Sequence, residues 1–190
     1  DRTLRQYAAL YAETPLEVVI VDDGSPEPAD TDLFFARIVR LPSKDEPKNP
    51  CVPFNIGVDH ARGPIIVLTN PECYHPWPIF PQMLEALRDL GPKGYVLASA
   101  WNPDKKRWQC HPRHKAPHQA ELPPGFGVHH CAMLYKVFFQ SVGGFDERYR
   151  DGTGYEDNDF AFRLHTAGAR PAILEDCVVE HPTTGVTKRP

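Results

Sequence analysis

The feature that most constrains the fold is a continuous run of β-branched residues near the start of the chain. In Glu17–Val21, four consecutive residues are valine or isoleucine. A strand with one wet face would alternate apolar and polar residues, so an unbroken run predicts a strand buried on both faces. Such strands are typical of sheets covered by helices on both sides. The run therefore predicts an α/β fold.

The rest of the chain alternates strand-like and helix-like patterns. Further strands are predicted over 36–41, 64–68, 95–100 and 131–135, and within 172–179. Helices are predicted over 2–11, 54–62, 77–90 and 160–167. Together these elements predict a mixed sheet of largely parallel character, flanked by helices. Ligands of such sheets bind beyond the carboxyl ends of the strands, and polar residues are to be sought there.

Length, charge and cysteine pattern limit the functional classes. The 190 residues, 41% of them hydrophobic, suit one domain over residues 1–190 with a substantial core. The net charge of −4 argues against a nucleic-acid partner, which usually requires a basic surface. The apolar runs are too short to span a bilayer, so no transmembrane segment is expected. Five scattered cysteines without a C-x-x-C pair suit a reduced, cytoplasmic protein.

Prolines and large aromatic residues predict where the chain is irregular and where it is buried. Prolines cluster in four stretches that we interpret as loops within one domain, 26–28, 42–53, 71–81 and 112–124. The segment 109–127, which is rich in histidine and basic residues, is predicted to be a mobile flap. Four aromatic residues are predicted to lie in the core, Phe34, Phe35, Trp77 and Trp101.

Two carboxylates follow the first predicted strand directly. The strand leads into Asp22-Asp23-Gly24-Ser25. Carboxylates at this position can accept hydrogen bonds from a nucleobase imide and from ribose hydroxyls. The alternative is an ordinary Asp-Gly turn, since both residue types are frequent in turns.

A second polar group follows the strand over 64–68. Asn70 and Glu72 lie two positions apart, so both side chains can point into one cleft. A glutamate there suits a hard divalent cation such as Mg²⁺ or Mn²⁺, which prefers oxygen ligands. His181 lies just past the last predicted strand. A lone histidine is usually structural, but beside a carboxylate it becomes a candidate metal ligand.

An acidic cluster precedes the last predicted helix. Glu156, Asp157 and Asp159 crowd into four residues, after a Gly-Gly-Phe-Asp-Glu segment at 143–147. One carboxylate could act as a general base toward an acceptor hydroxyl. The alternative is a helix N-terminus with a solvated acidic turn, which the helix dipole favours.

Taken in order, these segments resemble a GT-A-fold glycosyltransferase of the large inverting family 2, which includes bacterial cell-surface polysaccharide transferases. The resemblance covers about residues 2–182. It rests on an ordered set of segments, namely Val19–Ser25, Asn55-Ile56-Gly57 with Ala61-Arg62-Gly63, Asn70-Pro71-Glu72, Gly143–Glu147, Glu156-Asp157 and His181. The ordered set is far more specific than any member alone.

The resemblance implies a donor, a metal and a mechanism. The donor would be a nucleotide-diphosphate sugar, with UDP favoured, and the acceptor a glycan or other hydroxyl compound. The residues implied in nucleotide binding are Asp22, Asp23, Ser25, Asn55 and Asn70. Those implied in holding Mn²⁺ or Mg²⁺ are Glu72 and His181. Asp157 would be the general base, and Glu156 would orient the loop or an acceptor hydroxyl.

The chain departs from the family pattern at two places. Asn70-Pro71-Glu72 stands where an Asp-x-Asp metal motif is expected, so the site carries one less negative charge. Family members also begin with a strand and a nucleotide-cradling loop, whereas this chain opens at Asp1 in what resembles the following helix. Without that strand, a gap is expected near the centre of the sheet, where unpaired backbone is costly.

Two other functions are compatible with the sequence. A catalytically inactive GT-A domain that binds nucleotide or glycan is one alternative. A nucleotidyltransferase is the other, although it would normally use a glycine-rich phosphate loop.

On the acceptor side of the cleft, contacts to sugar or phosphate are expected from Trp108, His114 and His118. The cysteines and histidines around 110–114 and 129–131 fit no usual zinc spacing.

Overall fold

The structure, a computed structural model, describes residues 2–42, 49–114, 122–152 and 154–183. The helices in this part of the chain are α1 (Arg2–Leu10), α2 (Cys51–His60), α3 (Phe80–Leu90), α4 (Lys136–Ser141) and α5 (Glu156–Thr166). The strands are β1 (Val18–Asp22), β2 (Ala36–Arg40), β3 (Ile65–Thr69), β4 (Gly94–Asn102), β5 (Arg107–Cys110), β6 (Cys131–Tyr135) and β7 (Arg170–Glu180). A 3₁₀ turn over Glu147–Asp151 precedes α5.

The larger sheet is built around β4. This strand pairs in parallel with β7 and antiparallel with β6 and β5, and β3 is added antiparallel to β6. Strands β1 and β2 form a separate parallel pair, with Val18 opposite Ala36 and Asp22 opposite Arg40. The predicted mixed α/β architecture is thus confirmed.

Two apolar clusters cover the two faces of the sheet. One contains Val58 of α2, Phe139 of α4 and Phe160 of α5. The other contains Tyr7 of α1 and Met83 of α3. Because helices lie on both sides, residues 94–100 of the central strand are all buried. The helix-covered sheet predicted from unbroken apolar runs is therefore present.

A cavity of about 1090 Å³ lies between the two sheets. Residues 18–21 of β1 and 65–69 of β3 line it, together with Leu4, Tyr7 and Phe80 from the helices. Among the described residues, β1 pairs only with β2 and β3 only with β6. Each strand therefore has one edge whose backbone N–H and C=O groups have no strand partner. Buried groups of this kind normally find one.

Most predicted elements are confirmed in type, with differences at their ends. The helix predicted over 160–167 begins at Glu156, so the acidic cluster forms its first turn. The flap predicted over 109–127 is wrong at its start, because the β4–β5 hairpin extends to Cys110. Residues 115–121 of that segment lie outside the described residues. Helix α4 has no counterpart in the prediction, since six residues are too few to show a helical period.

The prediction that four aromatic residues lie in the core is wrong for two of them. Trp77 is 45% exposed, and its indole Nε1 donates to the Asp176 carbonyl at the surface. Phe34 is 99% exposed, which nothing in the structure explains. Phe35 packs against the cluster of α1 and α3, and Trp101 packs edge-on against the ring of Trp108.

Candidate active site

The polar residues that follow β1 and β3 face the same space. Asp23 after β1 and Asn70 after β3 both line the large cavity. The chain after β3 is tied to the end of β7, because the Tyr74 and Glu180 backbones exchange hydrogen bonds of 2.8 and 2.9 Å. This pairing brings the segment containing Glu72 to His181. The carboxyl ends of three strands thereby form one polar region.

The Asp22 carboxylate is hydrogen-bonded to the loop that follows it. One carboxylate oxygen accepts the Ser25 N–H at 2.9 Å, and the other accepts the Ala29 N–H at 3.0 Å and a guanidinium N–H of Arg40. These contacts, the Ala29 bond first, lower the pKa of Asp22 to about 2. The residue is 4% exposed. Asp22 and Ser25 therefore shape the loop over 23–29, and Asp23 is the carboxylate that lines the cavity.

Glu72 and His181 are in direct contact. His181 Nε2 lies 3.0 Å from Glu72 Oε1 and 3.2 Å from Asn70 Nδ2. His181 Nδ1 lies 3.1 Å from Gln109 Oε1, which can accept its N–H. A neutral imidazole carries a single N–H. On Nε2 it is donated to Glu72, and this hydrogen bond lowers the pKa of that carboxyl. On Nδ1 it is donated to Gln109 and leaves the Nε2 lone pair for the Asn70 amide or for a cation.

These two residues fit a divalent cation only as part of its coordination shell. One carboxylate oxygen and one imidazole nitrogen are accepted ligands of Mn²⁺, which needs further ligands beyond two. Among the described residues, no group of three or more His, Cys, Asp or Glu could hold a metal. Further ligands would have to come from a bound molecule such as a diphosphate. The hydrogen bond between His181 Nδ1 and Gln109 Oε1 fixes the orientation of the His181 ring, as the hydrogen-bond partners of metal-ligating histidines do.

The acidic cluster forms a separate group at the start of α5. Glu156 is 7% exposed, and its Oε2 accepts the amide N–H of Asn49 at 2.5 Å. Asp157, the next residue of the helix, is half-buried. Burial raises the pKa of both carboxyls, and the charge of Asp157 raises that of Glu156 further. Asp159 instead pairs with Arg163 at 2.7 Å, one turn along the helix.

Asn55 lies against the Gly-Gly-Phe-Asp-Glu segment instead of the end of β1. Its amide donates to the Phe145 carbonyl and to Glu147, and its oxygen accepts the Phe145 N–H at 2.8 Å. Gly144 packs so closely that an added Cβ would lie 2.6 Å from the Asn55 oxygen, and its φ is +64°. Arg163 closes the same turn by donating to the Val142 and Gly144 carbonyls. Asn55 thus fixes the conformation of the turn at 143–147.

Two residues of these networks are absent from the sequence predictions. Asn49 lies in a proline-rich loop, 107 positions from Glu156, and Gln109 lies 72 positions from His181. Neither belongs to a motif or an apolar period. A single sequence carries no signal that would identify them.

The expected acceptor side is only partly described. The ring of Trp108 lies 4.2 Å from that of His111, which lies 5.0 Å from that of His114. These rings form a row along the β4–β5 hairpin. His118 lies outside the described residues. The cysteine side chains of the described residues, among them those of Cys110 and Cys131, are buried.

Comparison with protein families finds two matches. The model described as "Glycosyl transferase family 2" matches residues 1–143, which is more than half of the chain. The model described as "N-terminal domain of galactosyltransferase" matches residues 126–184, which include the acidic cluster and His181. Among curated proteins, no match was found.

Solved structures share the fold at low sequence identity. GalNAc-T7, crystallised with UDP, GalNAc and Mn²⁺, aligns over 95% of this chain with a TM-score of 0.71 and 12% identity. Residues 1–349 of S. aureus TarS align over 95% with a TM-score of 0.69 and 15% identity. PcManGT, a mannosyltransferase from Pyrobaculum calidifontis in complex with GDP-Man and Mn²⁺, aligns over 94% with a TM-score of 0.60 and 18% identity. The alignments cover 40%, 56% and 50% of those chains, respectively.

These comparisons confirm the predicted GT-A fold and the predicted resemblance to glycosyl transferase family 2. No helix among the described residues is long and apolar enough to cross a membrane.

Proposed function

This chain belongs to glycosyl transferase family 2, and on that basis we propose that it transfers a sugar from a nucleoside diphosphate sugar to an acceptor hydroxyl, with inversion at the anomeric carbon. The observation that carries the proposal is the convergence of Asp23, Asn70, Glu72 and His181 at one end of the sheet. UDP is the favoured nucleotide, since GalNAc-T7 and TarS were both crystallised with it. GDP and dTDP remain open, because PcManGT was crystallised with GDP-Man.

The donor is held at the carboxyl ends of β1 and β3. The loop that Asp22 organises through Ser25 and Ala29 forms the wall for the base and ribose, and Asp23 contributes the carboxylate. Asn70 supports the ribose or diphosphate from the other side. In this arrangement Asp22 acts through the loop, and Asn55 acts by fixing the turn at 143–147.

Glu72 and His181 would hold Mn²⁺ or Mg²⁺, with the remaining ligands supplied by the bound donor. When bound, the cation would supply positive charge against the negative charge that develops on the leaving diphosphate. Because Asn70 stands where a carboxylate is expected, these two residues alone would bind the cation weakly. His181 is presented for this role by Gln109 at its other ring nitrogen.

Asp157 removes the proton from the acceptor hydroxyl. The acceptor oxygen attacks the anomeric carbon, the bond from that carbon to the phosphate oxygen breaks, and the nucleoside diphosphate leaves with the bonding electrons. The proton ends on the Asp157 carboxylate. Attack from the face opposite the leaving group inverts the configuration. Burial raises the pKa of Asp157, which makes its carboxylate a stronger base.

We also infer that a β-strand completes the single catalytic domain by filling the cavity between β1 and β3. The cavity is lined by apolar side chains of both strands. Its occupant would run parallel to β1 and enter α1, because Thr3 at the start of α1 hydrogen-bonds Pro71 just past the end of β3. That connection would be a right-handed crossover of the usual kind.

The acceptor is a glycan or another hydroxyl compound, which suits polysaccharide biosynthesis. Five scattered, buried cysteines without a C-x-x-C pair suit a reducing compartment, in keeping with a cytoplasmic site of action. The second candidate function is a domain that binds a nucleotide sugar without turnover. The observation that favours it is the metal motif, which offers one carboxylate and one histidine.

The deciding experiment is a screen of UDP, GDP and dTDP sugars for hydrolysis and transfer, with and without Mn²⁺. We expect one nucleoside diphosphate to be released in a metal-dependent reaction, and the product anomer seen by NMR to be inverted. Binding of a nucleotide sugar without release would favour the binding domain. A retained anomer would refute the mechanism with Asp157 as base.

A further inference from the structure

A buried amide joins the loop before α2 to the acidic helix. Asn49 is 4% exposed and uses both ends of its side chain. Its oxygen accepts the Cys51 N–H at 3.0 Å, at the start of α2. Its nitrogen donates to Glu156 Oε2 at 2.5 Å, at the start of α5. The bond to Glu156 therefore sets the position of α5 relative to α2.

Among the residues that the structure describes, those that face the Glu156–Asp157 pair supply little positive charge. Cys51 of α2 and His129 lie near Glu156, and Tyr95 of β4 lies near Asp157. Burial lowers the pKa of His129 to about 4, so that its ring is neutral at pH 7. Burial raises the pKa values of Cys51 and Tyr95, so both stay protonated. Negative charge on the pair thus depends on hydrogen bonds.

Two adjacent carboxyls that are shielded from water do not both ionise readily, and they titrate as a coupled pair. Burial and the charge of Asp157 raise the pKa of Glu156, whereas the hydrogen bond from Asn49 lowers it. A donor held against one oxygen of Glu156 therefore favours the ionised form of the pair.

We propose that Asn49 is a positioning residue that holds the Glu156 carboxyl in place and stabilises the negative charge of the Glu156–Asp157 pair, and so keeps Asp157 anionic as the base for the acceptor hydroxyl. This inference rests on the proposed transfer reaction. Asn49 acts through Glu156 and touches no reacting atom. Its amide fixes the orientation of the Glu156 carboxyl and stabilises the ionised form of that group.

Two substitutions separate this role from the capping of α2. Asn49→Ser keeps a side-chain oxygen for the Cys51 N–H but cannot reach Glu156. Asn49→Asp keeps the shape and the capping oxygen but replaces the donor with a negative charge. The matched control is Asn102→Ser, since Asn102 is also buried but bonds the neutral groups of Thr183 and Lys105.

Two readouts test the inference. One is the pH dependence of kcat/KM for transfer. The other is the titration of the Asp and Glu side-chain carboxyl carbons by ¹³C NMR, which needs no turnover. In both Asn49 variants we expect the acid limb of the rate profile and the titration of the pair to move to higher pH. The shift should be larger for Asn49→Asp, kcat should fall roughly tenfold or more, and donor affinity should be unchanged.

The outcomes distinguish this inference from the proposed function. Normal transfer with unmoved titrations in both variants would overturn the role of Asn49 and leave the function intact. Shifted NMR titrations in a protein that transfers no sugar would support the coupling and refute the function. An equal shift in Asn102→Ser would overturn the inference, because the effect would then be general destabilisation.

Discussion

At the scale of single residues, the proposed chemistry depends on one of two adjacent carboxyls. Asp157→Asn keeps the shape of the side chain but cannot accept a proton at neutral pH. We expect turnover to fall by about 10²–10⁴-fold, with donor affinity unchanged because the donor residues follow other strands. Single-turnover rates and UDP affinity measure the two effects separately.

Neighbouring substitutions serve as controls for Asp157. Glu156→Gln keeps the shape of the side chain and can still accept from Asn49, so it should lower turnover only mildly. Asp159→Asn should have the smallest effect on turnover, because Asp159 bonds Arg163. If Glu156→Gln abolished turnover while Asp157→Asn did not, the base would be assigned to the wrong residue. If all three variants of an active enzyme kept normal turnover, the acidic cluster would be only a helix N-terminus.

A second residue-scale prediction concerns Glu72 and His181. UDP at about 100 times its dissociation constant should stabilise the protein by roughly 2.7 kcal/mol, and this gain should require Mn²⁺. Since two protein ligands need the diphosphate to complete the site, Mn²⁺ alone should shift the melting temperature little. In Glu72→Gln and His181→Gln the gain from Mn²⁺ should disappear, while the exposed control Glu85→Gln keeps it. A thermal-shift titration measures this, and undiminished metal dependence in both variants would contradict the site.

At the scale of elements, helix α1 is held by a buried histidine. Tyr11 Oη accepts the Ile79 N–H at 3.1 Å and lies 2.6 Å from His75 Nδ1, to which it donates. Gln6 of α1 exchanges two further hydrogen bonds of 2.9 Å with the His75 backbone. Burial lowers the pKa of His75 to about 4. A proton on Nδ1 would put two donors face to face.

This arrangement predicts a loss of stability in mild acid. The pKa of His75 is lowered on folding, so the unfolded chain binds the proton first as pH falls. The stabilisation is present in full above about pH 6.5 and is lost as pH falls to about 4, on the order of 3 kcal/mol. Urea denaturation at several pH values should show a shallower decline for His75→Gln. His129 contributes in the same direction, so a slope remains.

The control for this prediction is His60→Gln, at an exposed position at the end of α2. It should keep the pH dependence of the wild-type protein between pH 4 and 6.5. An unchanged slope in His75→Gln would mean that the histidine does not titrate with unfolding.

The elements were predictable wherever one apolar pattern ran long enough. Strand β1 and helix α3 followed from a β-branched run and an amphipathic period, because both patterns are local. The direction of β6 was not predictable, because its antiparallel pairing with β3 and β4 depends on residues that are far away in the sequence. The site divides in the same way. Glu72 and His181 were predicted from motif order, and their role stays a prediction, whereas Gln109 and Asn49 make their contacts across long sequence separations.

At the scale of the whole molecule, the cavity between β1 and β3 divides the sheet. Each strand offers an unpaired edge among the described residues, and apolar side chains line the space between them. Both walls of the proposed donor site depend on these strands. Their relative position should therefore be fixed by whatever fills the cavity.

The last prediction tests the strand that we infer there. An apolar, β-branched segment of six or seven residues, joined before Asp1 by a short polar loop, should enter the cavity parallel to β1 and β3. Strands rise about 3.3 Å per residue, so this length spans the five-residue strands on either side. Buried side chains and two ladders of backbone hydrogen bonds should offset the entropy of ordering, with a net gain on the order of a few kcal/mol. For a chain of this size that corresponds to a rise in melting temperature of roughly 5–10 °C, and the β1 and β3 amides should become protected from hydrogen exchange. A control segment with a central proline cannot complete the ladders and should give neither effect. Equal stabilisation by both segments would contradict a strand, as would β1 and β3 amides that are fully protected without either segment.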